Sequence, residues 1–338
     1  MKKRITDIIN IDSSLTTPIY KQIVQSIYQC IEKGELAYND MLPSVNSISE
    51  TFSLARGSVF TAYNDLRASG IIDSIPGKGY FVTSTRVHQK RRIFLLFSKL
   101  TPYEAHLYNA ITRALPDDCA VDLYFHHHDI RLFDSLITEQ ADRYNTFVIV
   151  PEVHPDTPRI LSRLDEKHLF LLDEGYREYK KSYHGVYQHP EKDMYAILIK
   201  FRERVLRYKR LFLVLPHAID SRDIIAGFRK FSKNTGISAE VIQTVEETQI
   251  KKGDAFIIYD DCWLVNVVKW VKAAGHRFGK DIGVISYQDN LLKEVVADGI
   301  TTFAPDLDNM GRSIAEMIVS GDREVVENPV LIIDRKSF

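Results

Sequence analysis

Eight short apolar runs, separated by segments of helix length, constrain this chain more than any other feature. They are IFLLF (93–97), VDLYF (121–125), TFVIV (146–150), LFLLD (169–173), LFLVL (211–215), AEVIQT (239–244), AFIIY (255–259) and IGVIS (282–286). None approaches the roughly 18 apolar residues of a membrane-spanning helix. Most are apolar without alternation, as strands buried on both faces are. Their regular exchange with helical stretches predicts βα units, and therefore parallel sheets covered by helices. A break near 175–190 suits two similar α/β lobes rather than one sheet.

Upstream of residue 93 the texture differs. PIYKQIVQSIYQCIEKGEL spaces Ile19, Ile23, Ile27 and Ile31 four apart, a helix stripe opened by Pro18 and closed by Gly34. Ser44 caps a second, short helix carrying Val45, Ile48 and Phe52. A third helix, ARGSVFTAYNDLRASG, buries Val59, Ala62, Tyr63 and Leu66 and ends before Gly70. IIDSI and YFV then form a hairpin around Pro76-Gly77-Lys78-Gly79. Two short helices on a tight connection followed by a hairpin describe a winged helix-turn-helix. Its third helix is thin enough for the major groove, and its hairpin lies along the backbone or minor groove. The Gly-Lys-Gly tip is not a phosphate-binding P-loop, because the preceding glycine, Gly70, is too far away rather than six residues before the lysine, and Gly79 follows it.

Charge follows the same division. Residues 1–92 carry 12 Lys and Arg against 8 Asp and Glu, and the remainder 32 against 37. A basic head on an acidic body suggests that the head meets a polyanion. Overall, 45% hydrophobic and 26% charged residues are ordinary for a globular chain. MKKRITDIINID is basic but has no apolar core, so the expected location is cytoplasmic. Cys30, Cys119 and Cys262 are too few and too far apart for a disulfide framework or a zinc site, and are expected to be packed, reduced thiols.

The head resembles the DNA-binding domain of GntR-family transcription regulators. The resemblance is carried in order by PIYKQI (18–23), GEL (34–36), LPS (42–44), ARGSV (55–59), AYNDL (62–66), GII (70–72) and GKGYFV (77–82). It implies that Arg56 and Ser58 contact operator DNA, with Ser44, Asn46 and Phe60 beside them, and that Gly77 and Lys78 form the wing tip. Asn46 and Phe60 stand where many members use arginine, and Ala55 replaces the usual capping serine.

TSTRVHQKRR (83–92) reads as a linker, so the expected domains are a head (1–82), this linker and a two-lobed body (93–338). The body resembles the LacI-type, periplasmic-binding-protein-like sensor domain. The resemblance rests on Asp260-Asp261, on Ser286-Tyr287-Gln288-Asp289, on Ile300-Thr301-Thr302, and on DSRDIIAGF (220–228). The family's ligand-gripping arginine would fall on Ile224, two residues after Arg222.

Ligands of parallel sheets bind beyond the carboxyl ends of the strands. Those positions are Lys99–Tyr103, His126–Asp129, Glu152, Asp173–Glu174, His217, Asp260–Trp263 and Gln288–Asp289. Tyr103, Asp261, Trp263, Gln288 and Asp289, with Arg222 as a substitute arginine, are the expected ligand residues. The plainer alternative has Asp261 capping the next helix and Trp263 in the core. His126-His127-His128 does not suggest a metal, since consecutive residues at a strand end alternate in direction. No cofactor is expected.

The combined expectation is a non-enzymatic, ligand-responsive transcription regulator, dimeric on a two-fold-related operator, with a neutral monosaccharide as effector. Its rivals are a GntR-type head on a pyridoxal-phosphate aminotransferase-like body, and a DNA-binding protein whose body only dimerises.

Overall fold

The computed structural model describes residues 9–12, 17–85, 91–140, 143–216 and 222–338. Part of the expected linker (86–90), the strand-end residue His217 and the first two residues of the 220–228 motif lie outside these.

The head comprises α1 (Ile19–Glu32), β1 (Met41–Leu42), α2 (Val45–Thr51), α3 (Arg56–Ala68), β2 (Ile72–Ile75) and β3 (Gly79–Val82). Its core gathers Ile23, Ile27 and Ile31 with Ile48, Val59, Ala62, Tyr63 and Leu66, the apolar stripes of the three helices. Pro18 is the N-cap residue of α1, and the Ser44 hydroxyl caps α2 by accepting from Ser47 N at 3.1 Å. The three strands form an antiparallel sheet in the order β1-β3-β2. The two residues of β1 were not anticipated, being too few for a period.

Two six-stranded sheets make up the body. The first lobe contains β4 (Arg91–Phe97), α4 (Pro102–Ala114), β5 (Cys119–Phe125), α5 (Ile130–Gln140), β6 (Thr146–Ile149), α6 (Thr157–Leu161), β7 (Leu169–Leu172), α7 (Asp173–Tyr176) and β8 (His184–Tyr187). The second contains α8 (Pro190–Lys200), α9 (Arg202–Val205), β9 (Arg210–Val214), α10 (Arg222–Thr235), β10 (Ser238–Ile242), β11 (Asp254–Ile258), α11 (Asp261–Ala273), β12 (Gly283–Tyr287), α12 (Leu291–Val295) and β13 (Thr301–Pro305). The chain then returns to the first lobe for α13 (Leu307–Ser320) and β14 (Val325–Glu327), and ends in the second with β15 (Val330–Ile333). The strand orders are β14-β8-β7-β6-β4-β5 and β10-β9-β11-β12-β13-β15, with only β15 antiparallel to its neighbour.

All eight expected strands form. Continuous apolarity is explained by what each face covers. In β4, Ile93, Leu95 and Phe97 pack beneath α4 and α13, while Phe94 and Leu96 pack on the other face with Phe133 and Ile137 of α5. The second sheet divides likewise, with Leu211 and Leu213 facing α8 and α10, and Phe212 and Val214 facing α11. Helices α4 and α13 approach so closely that a Cβ on Gly311 would lie 2.6 Å from Ala110 Cβ.

Three crossovers join the lobes: Gln188–His189, Asp306, and Asn328–Pro329. They are stitched by side-chain amides. Asn328 Nδ2 donates to Gln188 Oε1 at 2.9 Å, and Asn309 Nδ2 donates to Asn328 Oδ1 at 3.1 Å. Gln188 Nε2 donates to the Asp193 carboxylate on α8, and Asp306 N to Pro329 O at 3.0 Å. Both Gln188 and Asn328 are buried, so these bonds satisfy groups that water does not reach.

The head touches the first lobe through Gln29 Nε2, 3.1 Å from His168 Nε2. A polar cavity of about 520 Å³ lies there, between α1 and residues 161–167, away from the strand ends. Of the cysteines, Cys30 is buried and Cys119 half-buried, but Cys262 is exposed, which corrects the expectation that all three are packed. No helix among the described residues is long and apolar enough to cross a membrane.

Candidate functional sites

The exposed side of α3 is what remains after Val59, Ala62, Tyr63 and Leu66 turn inward. Arg56 and Phe60 stand on it, Phe60 52% exposed, and Ser58 is half-buried. Tyr63 holds the helix in place. Its hydroxyl donates to Pro43 O at 2.6 Å, and its ring meets Tyr80 of β3 edge-on at 4.7 Å. The helix is thus tied to both α2 and the wing, beside exposed Ser44 and Asn46. Ala55 provides no side-chain cap for α3.

The wing tip explains its own sequence. Lys78 N donates to Ile75 O at 3.0 Å, closing a four-residue turn with Pro76 second and Gly77 third at φ +76°. A type II turn requires that geometry, with proline pre-set at the second position and glycine free to adopt positive φ at the third. Lys78 is left exposed at the tip.

In the body, both sets of parallel strands end at loops that carry the candidate ligand residues. Four non-glycine residues there have left-handed backbone: His127 (φ +50°), His128 (+58°), Asp173 (+67°) and Gln288 (+58°). Such conformations are strained, and strain of this kind gathers at functional sites.

On the first lobe, Tyr103 sits in the first turn of α4, which Thr101 and Glu104 cap reciprocally. Its hydroxyl donates to Asp173 Oδ1 at 2.9 Å, joining the ends of β4 and β7. His126 and His128 both face Glu152 after β6, with Nδ1 atoms 3.6 and 3.1 Å from Glu152 Oε2.

On the second lobe the expected carboxylates are already engaged. Asp261 lies 2.8 Å from Lys293 Nζ, and buried Lys293 also donates to Tyr287 O and Gln288 O at 2.7 and 2.8 Å. Asp289 is held by Arg335 through two bonds of 2.7 and 3.0 Å and accepts from Thr302 Oγ1 at 2.8 Å. Burial pushes its carboxyl up, but Arg335 and Thr302 outweigh burial and hold it below the usual range. The cap of α11 is Asp260, which accepts from Trp263 N at 3.1 Å, so the alternative that Asp261 caps is corrected by one residue. Trp263 packs against the apolar cluster around Phe212 and Phe256.

Arg222 opens α10 and is exposed, whereas Ile224 is core, so the expected arginine position cannot face a ligand. Next to Arg222, Asp223 pairs with Arg177 of the other lobe. Asp261 and Gln288 therefore come together around Lys293, with Asp289 beside them on Arg335; Tyr103 stands on the opposite lobe, and Trp263 is half-buried on the apolar cluster beneath α11. Lys293, Arg335 and Arg177 were not anticipated, since each is recognisable only through a partner distant in sequence. A stack at the strand ends also went unread: Tyr259 and Tyr287 lie 4.4 Å apart with planes at 19°, and Phe303 closes on both.

Residues 19–82 match the gntR family of bacterial regulatory proteins, and residues 198–338 match the periplasmic binding protein-like domain. The chain is 35% identical over 75 residues to the HTH-type transcriptional repressor YtrA of Bacillus subtilis (strain 168), covering 22% of this chain and 58% of that protein. It is 35% identical over 71 residues to the mannosyl-D-glycerate transport/metabolism system repressor MngR of Escherichia coli (strain K12), covering 21% of this chain and 30% of that one. It thus spans well under two thirds of these relatives.

Among solved structures, the trehalose repressor from Escherichia coli aligns with a TM-score of 0.58 at 13% identity, over 72% of this chain and 100% of that one. A dimeric Lac repressor with a C-terminal deletion aligns at 0.59 and 16% identity, over 73% and 98%. At such identities the likeness is one of fold, and that fold leaves the aminotransferase-like body without support. The chain joins a head of the gntR family of bacterial regulatory proteins to a two-lobed body of the periplasmic-binding-protein-like kind.

Proposed function

We propose that the chain is a ligand-responsive transcription regulator, with a DNA-binding head (1–82), a linker (83–92) whose last two residues, Arg91 and Arg92, already belong to β4, and a sensor (93–338). The head binds operator DNA within a homodimer through Arg56 and Ser58, with Ser44, Asn46 and Phe60 alongside and Gly77 and Lys78 at the wing. The sensor takes a neutral monosaccharide between its lobes, and Tyr103, Arg222, Asp261, Trp263, Gln288 and Asp289 are the proposed ligand residues. Binding there shifts operator affinity by a coupling of about 1–3 kcal/mol, reciprocated in effector affinity. Repression is the sign favoured by the names of the relatives, and genes of sugar uptake or breakdown are the proposed targets.

One observation supports a neutral effector above all: three cations at or beside the strand ends are committed to carboxylates of the protein. Lys293 serves Asp261 and two carbonyls, Arg335 serves Asp289 and Glu294, and Arg177 serves Asp223. A phosphorylated or carboxylated ligand that used any of these three would have to draw it from its partner. Neutral hydroxyls need no such exchange, and the Tyr259–Tyr287 stack suits the C–H face of a sugar ring.

The test is a thermal-shift screen of the full chain against neutral and phosphorylated monosaccharides. A ligand at 100 times its Kd stabilises by about 2.7 kcal/mol, a displacement of several degrees. One responding neutral sugar, followed by altered operator binding in its presence, is the expected result. A response confined to phosphorylated sugars would overturn the neutral class. A responding sugar that leaves operator affinity unchanged would overturn the coupling.

A further inference from the structure

The cluster after β5 and β6 has an unusual defect. His126 is completely buried, and its Nε2 lies 3.2 Å from the carbonyl oxygen of Val150, which can only accept. The ring proton therefore belongs on Nε2, and Nδ1 of the neutral ring is a bare acceptor. That Nδ1 has no hydrogen-bond partner, and the charged atom it faces, Glu152 Oε2 at 3.6 Å, is a second acceptor. Protonating His126 would join the two, but burial outweighs the pull of Glu152 and pushes the imidazole down to about 4. At neutral pH two acceptors confront each other with no donor between them, and a buried polar group in that state calls for a cause.

The surroundings fix this arrangement. The Glu152 carbonyl accepts from Thr157 Oγ1 at 2.7 Å and from Tyr179 OH at 3.1 Å, pinning the loop after β6. Phe133 packs edge-on against the His126 ring at 5.3 Å. The exception is His128, 58% exposed on left-handed backbone, whose ring lies edge-on to that of His126 at 5.9 Å.

We propose that His126, Glu152 and His128 form a subsite for a hydrogen-bond donor of the cleft ligand, a hydroxyl, with His128 covering the acceptors until the ligand displaces it. The proposal rests on the reading of the strand ends as the effector cleft, and it adds a wall that the sequence did not assign. A metal ion is the other species that would satisfy two acceptors. Among the described residues, however, no group of three or more His, Cys, Asp or Glu has metal-holding geometry.

The experiment uses full-length protein labelled with ¹⁵N-histidine, with ring nitrogens read by long-range ¹H–¹⁵N correlation at pH 7. The probes are D-ribose, maltose and trehalose. In the free protein His126 is expected as the Nε2–H tautomer with an unprotonated Nδ1. A proton on Nδ1 would overturn the proposal without reference to any ligand. With a probe that binds, the His126 Nδ1 signal should move toward the hydrogen-bonded range, and His126→Phe and Glu152→Gln should each weaken binding about three- to tenfold. Undiminished binding in both variants would overturn the subsite and leave the sensor reading intact. A stoichiometric response to Zn²⁺ alone that His126→Phe abolishes would replace it with a metal centre. If no probe binds, the sugar reading loses its support, and the tautomer alone decides whether an acceptor pair exists here.

Discussion

Replacing Asp193 by asparagine should stabilise this protein at neutral pH and do nothing for it in acid. Asp193 lies in the first turn of α8, at the end of the amide chain that stitches the crossovers. Burial, reinforced by the negative charge of Glu327 on the other lobe, outweighs the Gln188 bond and pushes its carboxyl up to about 6 from an ordinary 3.8. The folded chain therefore holds this proton more tightly than the unfolded chain. The resulting stability is full below about pH 4, is lost as pH rises through 6, and is level above. Each tenfold difference in proton affinity is worth about 1.4 kcal/mol, which sets a ceiling near 3 kcal/mol. Residual solvent contact lowers the expected effect to about 1–3 kcal/mol. Urea unfolding of both proteins at pH 7.5, 6 and 5, followed by fluorescence of Trp263 and Trp270, should show the variant ahead at pH 7.5 and the gap closing toward pH 5. A gap of constant size across that range, or a less stable variant at pH 7.5, would refute the reasoning.

Other consequences are as direct. Ala55→Ser should restore a cap to α3 and stabilise the head by about 1 kcal/mol in denaturant titrations, since α3 has no side-chain cap now. Gly311→Ala should destabilise by about 1–3 kcal/mol by forcing α13 away from α4, measured as a lower urea midpoint. Lys78→Ala should lower the slope of log affinity for duplex DNA against log salt by about 0.9, a change absent if the wing tip never meets a phosphate. Arg56→Ala should weaken operator binding more than binding to random duplex, and equal losses would make it a backbone contact only.

The parts of this fold that were legible in the sequence are those decided by local pattern. Val59, Ala62, Tyr63 and Leu66 turn inward because their spacing is helical, and six of the eight expected body strands are visible because both faces are buried, β5 and β10 being partly exposed edge strands. HGVY (184–187) and VVE (325–327) are strands as well, but they are short and broken by glycine or charge, and pairing partners define them. The candidate site is harder to read for the same reason. Asp289 looks like a free ligand until Arg335, 46 positions away, is seen to hold it, and Lys293 takes Asp261 across 32 positions. Between Asp260 and Asp261, the cap was a choice that only backbone geometry makes.

The return of α13 and β14 to the first lobe bears on how the chain emerges from a ribosome. The head is complete by Val82 and needs nothing downstream to close its core. The first lobe has most of its strands by Tyr187, yet the helix that covers Ile93, Leu95 and Phe97 beside α4 is not synthesised until residue 320. At about 5–20 residues per second, that apolar face waits several seconds for its cover. During synthesis the DNA-reading head is thus expected to be folded while the sensor is still open, and limited proteolysis of stalled chains should find residues 19–82 protected well before residues 91–187.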